Sequence, residues 1–389
     1  MKKLYRLIPI IKNYEWGKRN GFNSLNIVNT DGQPQAELWL GTHEAGIAMV
    51  EDDVGKKTPL NLFLAANPSL MADKQLSALN FIFKILAVQG PLSLQVHPKQ
   101  TEAEAGFSYE NNLVKNNLIN RNYVDSKGKN EIVCALSKQF WLLCGFKPCK
   151  DILITFKQAG FTTMADNISR FEANQSEEGL KAFFSSLFLL EPDSAALLIT
   201  EALNYAALQK DAAAGWVIKL HKLYPHDVCI LAPLFLNLLL LNKDEALYIE
   251  ANTLHCYLEG MAVEVVGNSD NVLRAGLTKK YTDINELIKI TNFTSLQPNV
   301  LQANSKGKFI TANKGFVLQK ITVPAYKIMA ADNCFSITMC LAGSVKFASF
   351  DGSFSLTLKQ GEAILIPAGA GGYQLEGEGE LVSALMEVN

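Results

Sequence analysis

Hydrophobic and polar residues alternate strictly over residues 92–97, which predicts a β-strand. Successive side chains of a strand point to opposite faces, so the apolar residues occupy one face while Gln95 and His97 lie side by side on the other. The apolar run at residues 81–88 predicts a strand just before it, and Gly90 with Pro91 marks the turn between the two. One face of a predicted strand therefore carries two side chains with neutral lone pairs.

The same patterns divide the chain into three parts. Strand and turn patterns fill residues 1–148, and they return from residue 225 to residue 389, apart from a short helical stretch at 283–290. Over residues 149–224, apolar residues recur at helical spacing, as they do at Leu180, Phe183, Phe184 and Leu187. We therefore predict a mainly β fold with an α-helical insertion.

A short internal repeat links two of the predicted β regions. Residues 244–251 (DEALYIEA) resemble residues 361–368 (GEAILIPA), and this alignment places Gly372 where the first copy has His255. We interpret the copies as parts of two related β-barrel modules, the first with a metal ligand and the second without it, although so short a repeat leaves an independent origin open. The predicted domains are a barrel from residues 1–148 and 225–300, a helical domain over 149–224 and a second barrel over 301–389.

Two further residues extend Gln95 and His97 into a candidate metal site. Glu131 opens an apolar strand pattern, and His255 lies in a turn-to-strand segment. Two histidines, a carboxylate and an amide suit a catalytic metal ion, because structural zinc sites are usually closed and rich in cysteine. Taken one at a time, these side chains also fit plainer roles: a histidine packed in a barrel, a surface carboxylate, and an amide that only supports a ligand.

Composition narrows the function classes. The chain has 389 residues, of which 48% are hydrophobic, a formal net charge of −2 and no long basic run, so nucleic acid binding has little support. The N-terminus lacks the apolar stretch of a secretory signal, and the longest apolar run, residues 228–241, is too short to span a bilayer. The seven cysteines include no CxxC pair, which fits a reducing compartment. We therefore expect a cytoplasmic protein that binds neither nucleic acid nor membrane.

Seven motifs distributed over most of the chain carry a family resemblance. The short ones are YEWG at 14–17, AELWLGTH at 36–43, QVHP at 95–98, KNE at 129–131, LCGF at 143–146 and LHCY at 254–257. The long one, NSDNVLRAGLTKK at 268–280, is the most specific. With these motifs the chain resembles the type I mannose-6-phosphate isomerases (phosphomannose isomerases), zinc enzymes of the cupin superfamily.

The resemblance implies a fold, a cofactor and a reaction. It implies a catalytic cupin (jelly-roll) barrel, a helical domain and a C-terminal cupin-like barrel, in agreement with the division above. It implies one Zn²⁺ per chain, bound by Gln95, His97, Glu131 and His255. It implies a substrate surrounded by Arg274, Asp270, Glu264 and Lys129. The reaction would be the reversible interconversion of mannose 6-phosphate and fructose 6-phosphate through a cis-enediol. We expect a monomer that takes this phosphosugar.

The residues implied around the substrate can also be interpreted from their chemistry and sequence context alone. An arginine fork suits a phosphate dianion, and for Arg274 the alternative is a salt bridge to Asp270. Glu264 lies inside an apolar strand pattern, where a carboxylate needs a nearby metal or a pairing with arginine or lysine. The sequence leaves the base that transfers the proton open among Asp270, Glu264 and Lys129, and it places His43 near the pocket.

Two rival functions fit parts of the pattern. His97, His255 and Glu131 alone match the iron site of a cupin dioxygenase, but Gln95 as a fourth ligand and the run at 268–280 argue against it. A non-catalytic phosphosugar-binding protein is the other rival, and the retained ligand set argues against decay. The sequence has no GxGxxG, GxSxG or Walker A motif, which are the motifs expected of a dehydrogenase, a hydrolase and a kinase, so these functions have no support.

The chain departs from the usual family pattern mainly at predicted turns. Asn130, Glu250 and Lys279 stand where the family usually has proline, and Asp244 and Asn252 stand where it usually has glycine. None of the implied metal ligands is lost.

Overall fold

The computed structural model describes residues 4–71, 79–114, 120–313, 315–330 and 334–386. Its strands are, in chain order, β1 (Tyr5–Ile8), β2 (Ile10–Lys12), β3 (Glu37–Leu40), β4 (Met49–Glu51), β5 (Lys57–Pro59), β6 (Phe81–Val88), β7 (Leu94–Val96), β8 (Glu131–Ala135), β9 (Gln139–Phe146), β10 (Leu236–Asn242), β11 (Ala246–Ile249), β12 (His255–Gly267), β13 (Leu273–Gly276), β14 (Val300–Leu301), β15 (Phe316–Val323), β16 (Tyr326–Met329), β17 (Phe335–Ser349), β18 (Ser355–Lys359), β19 (Ala363–Ile366) and β20 (Tyr373–Met386). Its helices are α1 (Leu60–Ala66), α2 (Gln100–Val114), α3 (Cys149–Ala159), α4 (Ala165–Ala173), α5 (Glu177–Leu187), α6 (Pro192–Leu208), α7 (Ala212–Leu223), α8 (Ala232–Phe235) and α9 (Ile284–Ile290). The predicted mainly β fold with a helical insertion is confirmed.

The first antiparallel sheet brings the predicted metal ligands together. Its eleven strands follow the order β14-β11-β8-β12-β6-β3-β2, and β7, β9, β10 and β13 attach along this path. The long strand β12 is central, because it pairs with β6 and β8 along its second half and with β7 and β9 near its start. The segments that carry the four candidate ligands therefore meet along one strand.

The second antiparallel sheet takes strands from both ends of the chain. It has nine strands in the order β15-β20-β17-β19-β1-β4-β5, with β16 on β20 and β18 on β17. Strand β1 pairs with β19 through Tyr5 and Leu365, and β4 pairs with β1 through Arg6 and Glu51. The first sixty residues thus contribute β2 and β3 to one sheet and β1, β4 and β5 to the other. The domain limits at residues 148, 224 and 300 stay a prediction.

A shared apolar core joins the two sheets. It combines side chains of the first sheet, such as Leu38, Phe83 and Val263, with side chains of the second, such as Leu365 and Ile337. All are buried, and each such burial contributes about 1.5–3 kcal/mol. Ile364 and Ile366, the neighbours of Leu365 on β19, point to the opposite side of the second sheet. They belong to a separate core enclosed by this sheet, which forms the second barrel. The second barrel therefore packs both against the first barrel and around its own interior.

Helices α3 to α7 form the predicted insertion. Two of them begin with side-chain caps: Ser176 accepts a hydrogen bond from the backbone N–H of Gly179, and Asp211 accepts one from Ala214. The periodic apolar residues all face the core, where each is at most 3% exposed: Leu180, Phe183, Phe184 and Leu187. The apolar residues at helical spacing in this segment therefore form a buried stripe, as predicted.

The longest apolar run, residues 228–241, is only partly the strand that its composition suggests. It begins as a 3-10 turn (Val228–Leu231), continues as α8 and becomes β10 from Leu236. Pro233 lies in the first turn of α8, where its missing N–H costs nothing. Over the described ranges, no single helix is long and apolar enough to cross a membrane. Helices α5 and α6 meet those criteria only as a pair with a 106° bend.

The internal repeat has a structural counterpart. Its two copies contain β11 and β19, and each strand follows a residue in the left-handed region, Asp244 with φ 76° and Gly361 with φ 86°. Ile249, at the end of β11, pairs with Glu131, and the aligned Ile366 pairs with Ser336. The two copies therefore share both a turn and a pairing register.

Candidate metal centre and its pocket

Strands β7, β8 and β12 place three candidate ligands within reach of one ion. His255 opens β12 and pairs with Gln95 of β7, whereas Glu131 opens β8. Nε2 of His255 lies 3.0 Å from Oε1 of Glu131, and Nε2 of His97 lies 3.6 Å from Oε2 of the same carboxylate. The possible ligand atoms of His97, Glu131 and His255 all lie within 4.8 Å of one another, and the three residues are buried.

The orientation of both histidines suits a metal. Nδ1 of His97 lies 2.8 Å from the carbonyl oxygen of Asn271, and Nδ1 of His255 lies 2.8 Å from that of Thr253. A carbonyl only accepts, so each Nδ1 carries the proton and each Nε2 lone pair faces the centre. Nε2 of His97 is buried and has no hydrogen-bond partner among the described residues, which is costly unless a cation binds it. The donor set therefore fits a bound divalent ion.

The electrostatic environment keeps two of these ligands unprotonated. Burial lowers the pKa of His97 to about 3, and the charge of Lys129 acts in the same direction. Burial would raise the pKa of Glu131, but its contacts with His255 and His97 lower it well below its usual value. Metal binding requires neutral imidazoles and an ionised carboxylate, so the shifts of His97 and Glu131 favour it. Burial would lower the pKa of His255 as well, but Glu131 raises it, so an arriving ion has to displace the proton that His255 shares with this carboxylate.

Gln95 lies beside the three ligands but presents its amide nitrogen. Its Oε1 accepts a hydrogen bond from the hydroxyl of Ser93 at 2.9 Å, and its Nε2 lies 3.5 Å from Nε2 of His255. The two ends of an amide exchange by a half-turn of the terminal torsion, which would direct Oε1 at the centre. Ligation by Gln95 stays a prediction.

A buried charge network borders the centre. The ammonium of Lys84 lies 2.9 Å from Oε2 of Glu264 and 3.8 Å from Oε2 of Glu37, and all three side chains are nearly inaccessible. Lys84 and Glu264 are register partners on β6 and β12. Burial would lower the pKa of Lys84, but Glu264 and then Glu37 raise it well above its usual value, so the lysine stays charged. Glu264 thus has the lysine partner that its position in an apolar strand requires.

One cavity of about 260 Å³ unites the predicted site residues. Its walls include the candidate metal ligands His97 and Glu131 and all four residues implied around the substrate, Arg274, Asp270, Glu264 and Lys129. Lys280 lines it too, and the pKa of Lys280 is lowered by burial and by the charge of Arg274. Larger cavities exist elsewhere, but this one combines a metal-ligand cluster with cationic side chains.

Asp270 is oriented by a histidine rather than by arginine. Oδ1 of Asp270 lies 3.2 Å from Nε2 of His43, and this hydrogen bond lowers the pKa of Asp270. Nδ1 of His43 accepts the backbone N–H of Ala45 at 3.2 Å, so the ring proton sits on Nε2 and is donated to Asp270. Among the residues that the structure describes, Arg274 makes no ion pair, and its guanidinium contacts only the carbonyl of Val272. The alternative salt bridge between Arg274 and Asp270 is absent there.

Comparison with known proteins decides the family. The chain matches the family described as phosphomannose isomerase type I, catalytic domain, over residues 4–149, and the mannose-6-phosphate isomerase cupin domain over residues 305–386. It is 31% identical to the mannose-6-phosphate isomerase of Escherichia coli (strain K12) over 393 residues, which cover 97% of this chain and 98% of that protein. This chain belongs to the mannose-6-phosphate isomerase family.

Members of the family from distant organisms and solved structures agree. The mannose-6-phosphate isomerase of Homo sapiens is 28% identical over 420 residues and 94% of either chain. A mutant phosphomannose isomerase from Salmonella typhimurium superposes with a TM-score of 0.91 at 28% identity, over 99% of this chain and all of the other. A zinc-bound mannose 6-phosphate isomerase superposes with a TM-score of 0.90 at the same identity and coverage.

Two departures from the mannose-6-phosphate isomerase pattern fall where the backbone turns left-handed. Asp244 and Asn252, which stand where the family usually has glycine, have φ of 76° and 69°. Asparagine and aspartate enter this region more easily than other residues with a Cβ, so the turns are preserved. Asn130 replaces a usual proline and accepts the N–H of Ala251 at 2.8 Å. The departures thus lie in turns with defined hydrogen bonding.

Sequence reasoning missed several residues of the site, and Lys84 and Asn271 are the clearest cases. Lys84 lies in the predicted strand 81–88, and a lysine there needs a buried acid by the argument that was applied to Glu264. Asn271 is fully buried, and its carbonyl orients His97. Its side chain accepts from the N–H of Val124 and donates to the carbonyl of Lys127. No sequence pattern reports these contacts, because they join segments almost 150 residues apart.

Proposed function

We propose that the protein is a zinc-dependent aldose–ketose isomerase that interconverts mannose 6-phosphate and fructose 6-phosphate. One observation carries the proposal: in a chain of this family, a His–Glu–His cluster and the cationic side chains of Arg274, Lys129 and Lys280 line or adjoin one cavity. An isomerase of phosphorylated sugars needs a set of metal ligands and a binding site for a phosphate dianion.

The donor set identifies which residues would hold zinc. His97, Glu131 and His255 would supply three ligands, and Gln95 would supply a fourth after rotation of its amide. When bound, Zn²⁺ acts as a Lewis acid that polarises the sugar carbonyl and stabilises negative charge on the C1 and C2 oxygens. The ammonium of Lys84 also lines the cavity, where it fixes the positions of the Glu264 and Glu37 carboxylates.

The reaction moves one proton between C2 and C1. A base takes the proton from C2 of the open-chain aldose while the C1 oxygen gains one, which gives the cis-enediol. Return of a proton to C1 and loss of the O2 proton give the ketose. Asp270 is ionised and held by His43, and the pKa of Lys129 is lowered by burial and by Lys84. Glu264 is held by Lys84, so we assign the base to Asp270 or Lys129.

The phosphate would bind at Arg274 and Lys280. Both side chains line the cavity, and a planar guanidinium bonds two phosphate oxygens at once. We predict that Arg274→Ala lowers kcat/KM by about 10–100-fold, the loss of a charge-assisted contact, while zinc content stays near one per chain. Arg274→Lys should restore part of the activity, because lysine keeps the charge but not the fork. Wild-type kcat/KM in Arg274→Ala, with mannose 6-phosphate as substrate, would show that Arg274 is merely structural.

A coupled assay with mannose 6-phosphate tests the function itself. We expect turnover that is lost with a strong chelator and regained when Zn²⁺ is added back. The comparisons do not favour the dioxygenase or the non-catalytic alternative. Oxygen uptake by iron-loaded protein, or an absence of turnover in zinc-loaded protein, would support one of them instead. The monomeric state, the cytoplasmic location and the lack of nucleic acid or membrane partners stay predictions.

A further inference from the structure

The second barrel contains a cavity of its own, of about 380 Å³. Polar side chains of neighbouring strands form one wall: Gln319 on β15 pairs in register with Ser383 on β20, which in turn pairs with Thr338 on β17. All three are buried and line the cavity, and Ser336 lies two residues before Thr338. Residues between them, such as Ile337, belong to the core shared with the first barrel. The polar row therefore faces the interior of the second barrel.

Strand register makes this cavity the counterpart of the catalytic pocket. The repeat aligns Ile249 with Ile366, and these residues pair with Glu131 and Ser336 respectively. Ser336 therefore stands where the first barrel has its metal-binding carboxylate. The same alignment places Gly372 at the position of the ligand His255, and the neighbours of Gly372 on both sides line the cavity.

Strand register, which along β20 runs two residues beyond the offset of the repeat, extends the correspondence to the buried ion pair. In the first barrel Glu264 pairs across the strands with Lys84, and in the second Ser383 pairs with Gln319. On β12, Glu264 lies two residues before the partner of Glu131. On β20, Ser383 likewise lies two residues before the partner of Ser336. A hydroxyl and an amide thus replace a carboxylate and an ammonium. The corresponding positions in the second barrel are therefore polar but carry no charge and no metal ligand.

Two polar atoms in the cavity wall are available to a ligand. The hydroxyls of Thr338 and Ser383 hydrogen-bond each other at 2.8 Å, and Nε2 of Gln319 donates to the carbonyl of Lys306. Within the described part of the chain, neither the Ser336 hydroxyl nor Oε1 of Gln319 has a hydrogen-bond partner. Neither atom is fully enclosed, so both are open to the cavity and can hydrogen-bond to a ligand that enters it.

Charge and shape define the ligand. Three lysines line the cavity: Lys306, Lys308 and Lys327. Lys306 and Lys327 make no ion pair with any described residue, and none of the described lining residues is acidic. Tyr373 and Met329 provide an apolar wall beside the polar row. An anionic group would suit the two lysines, and hydroxyls would suit Ser336 and Gln319.

We propose that the second-barrel cavity binds a small phosphorylated sugar or sugar alcohol without converting it. The chain has no histidine after residue 255, so the commonest metal ligand for turnover is missing from this barrel. The site is a second, non-catalytic phosphosugar site built on the polar positions of the catalytic pocket.

Equilibrium dialysis with labelled sorbitol 6-phosphate tests the site. This probe has no carbonyl and is not isomerised, and the zinc-loaded full-length chain is used. A site in the second barrel should persist in Arg274→Ala, whose substitution lies in the catalytic cavity. The double variant Lys306→Ala/Lys327→Ala should weaken it by at least about tenfold, the cost of a lost charge-assisted contact. Unphosphorylated sorbitol should bind more weakly than the probe.

Two further variants separate binding from folding. Ser336→Ala removes one hydroxyl and should weaken the same site severalfold, whereas Lys346→Ala changes an exposed lysine of the same barrel, paired with Glu376, and should leave it unchanged. Isomerase activity should survive in all the second-barrel variants. Retention of full probe binding in the double variant, or no probe binding in Arg274→Ala, overturns the proposal. Neither result bears on catalysis, which the isomerase assay measures separately.

Discussion

The two barrels of this protein share a register but not a chemistry. At corresponding strand positions the first has Glu131, Glu264 and Lys84, and the second has Ser336, Ser383 and Gln319. Charges are stable in the first interior only because each has a partner: Lys84 with Glu264, and Glu131 with two histidines. The second interior avoids that requirement with neutral groups. The scaffold therefore fixes where polar groups face the interior, and the residues at those positions decide what they do.

The second barrel also supports the first mechanically, and its removal should have the largest effect. Deletion of residues 301–389 would leave β1 and β4 without the strands that extend their sheet and would expose the shared core around Phe83 and Val263. We expect insoluble protein, or a soluble one with a much lower melting temperature.

A point variant tests the same stabilising contact between the barrels in the intact chain. Leu365 lies in the shared core, so Leu365→Ala should cost about 2–5 kcal/mol in urea unfolding, while the exposed Lys346→Ala should cost almost nothing. A soluble truncation with unchanged melting would show instead that the second barrel is an independent appendage.

The metal centre should depend on the first barrel alone. His97→Ala and His255→Ala each remove a ligand, so each should lose zinc, measured by elemental analysis, and more than about 99% of kcat, because the Lewis acid leaves with the ligand. His226→Ala, at an exposed histidine of the segment after α7, is the control and should keep both. Zinc that stays near one per chain in both ligand variants would place the metal elsewhere, the second barrel included.

Neutralising the buried ion pair should make the first barrel resemble the second. Lys84→Gln leaves Glu264 buried without its closest partner, which should destabilise the fold by about 3–5 kcal/mol. Lys84→Gln with Glu264→Gln removes two of the three charges and leaves Glu37 without its ammonium partner, so it should recover only part of that stability in urea unfolding. Activity should fall in both, because Lys84 no longer fixes the carboxylates in the wall of the cavity. If Lys84→Gln unfolds at the wild-type urea concentration, the pair contributes no net stability.

Sequence patterns predicted those parts of the site that depend on residue type and alternation. The cluster of candidate ligands His97, Glu131 and His255, whose metal binding stays a prediction, and the helical stripe around Phe184 followed from such patterns and from motifs. The patterns did not show that β1 belongs to the second sheet, because a four-residue strand carries no record of its partner. They also did not show that Lys84 faces Glu264, since pairing across strands depends on register.

The turn that the two barrels share should show the smallest effect. Asp244 and the aligned Gly361 both have positive φ, but Asp244 also pairs with Lys320, which in turn lies 3.3 Å from Glu380 of the second barrel. Asp244→Gly relieves the left-handed strain and loses that pair, so the two changes offset and stability should shift by less than about 1 kcal/mol. Asp244→Ala keeps the strain and loses the pair, so it should be less stable than Asp244→Gly by about 1 kcal/mol. Thermal melting of the two variants side by side measures the difference. An alanine variant as stable as the glycine variant would show that φ at this turn relaxes, and the turn would then not be a constraint common to both barrels.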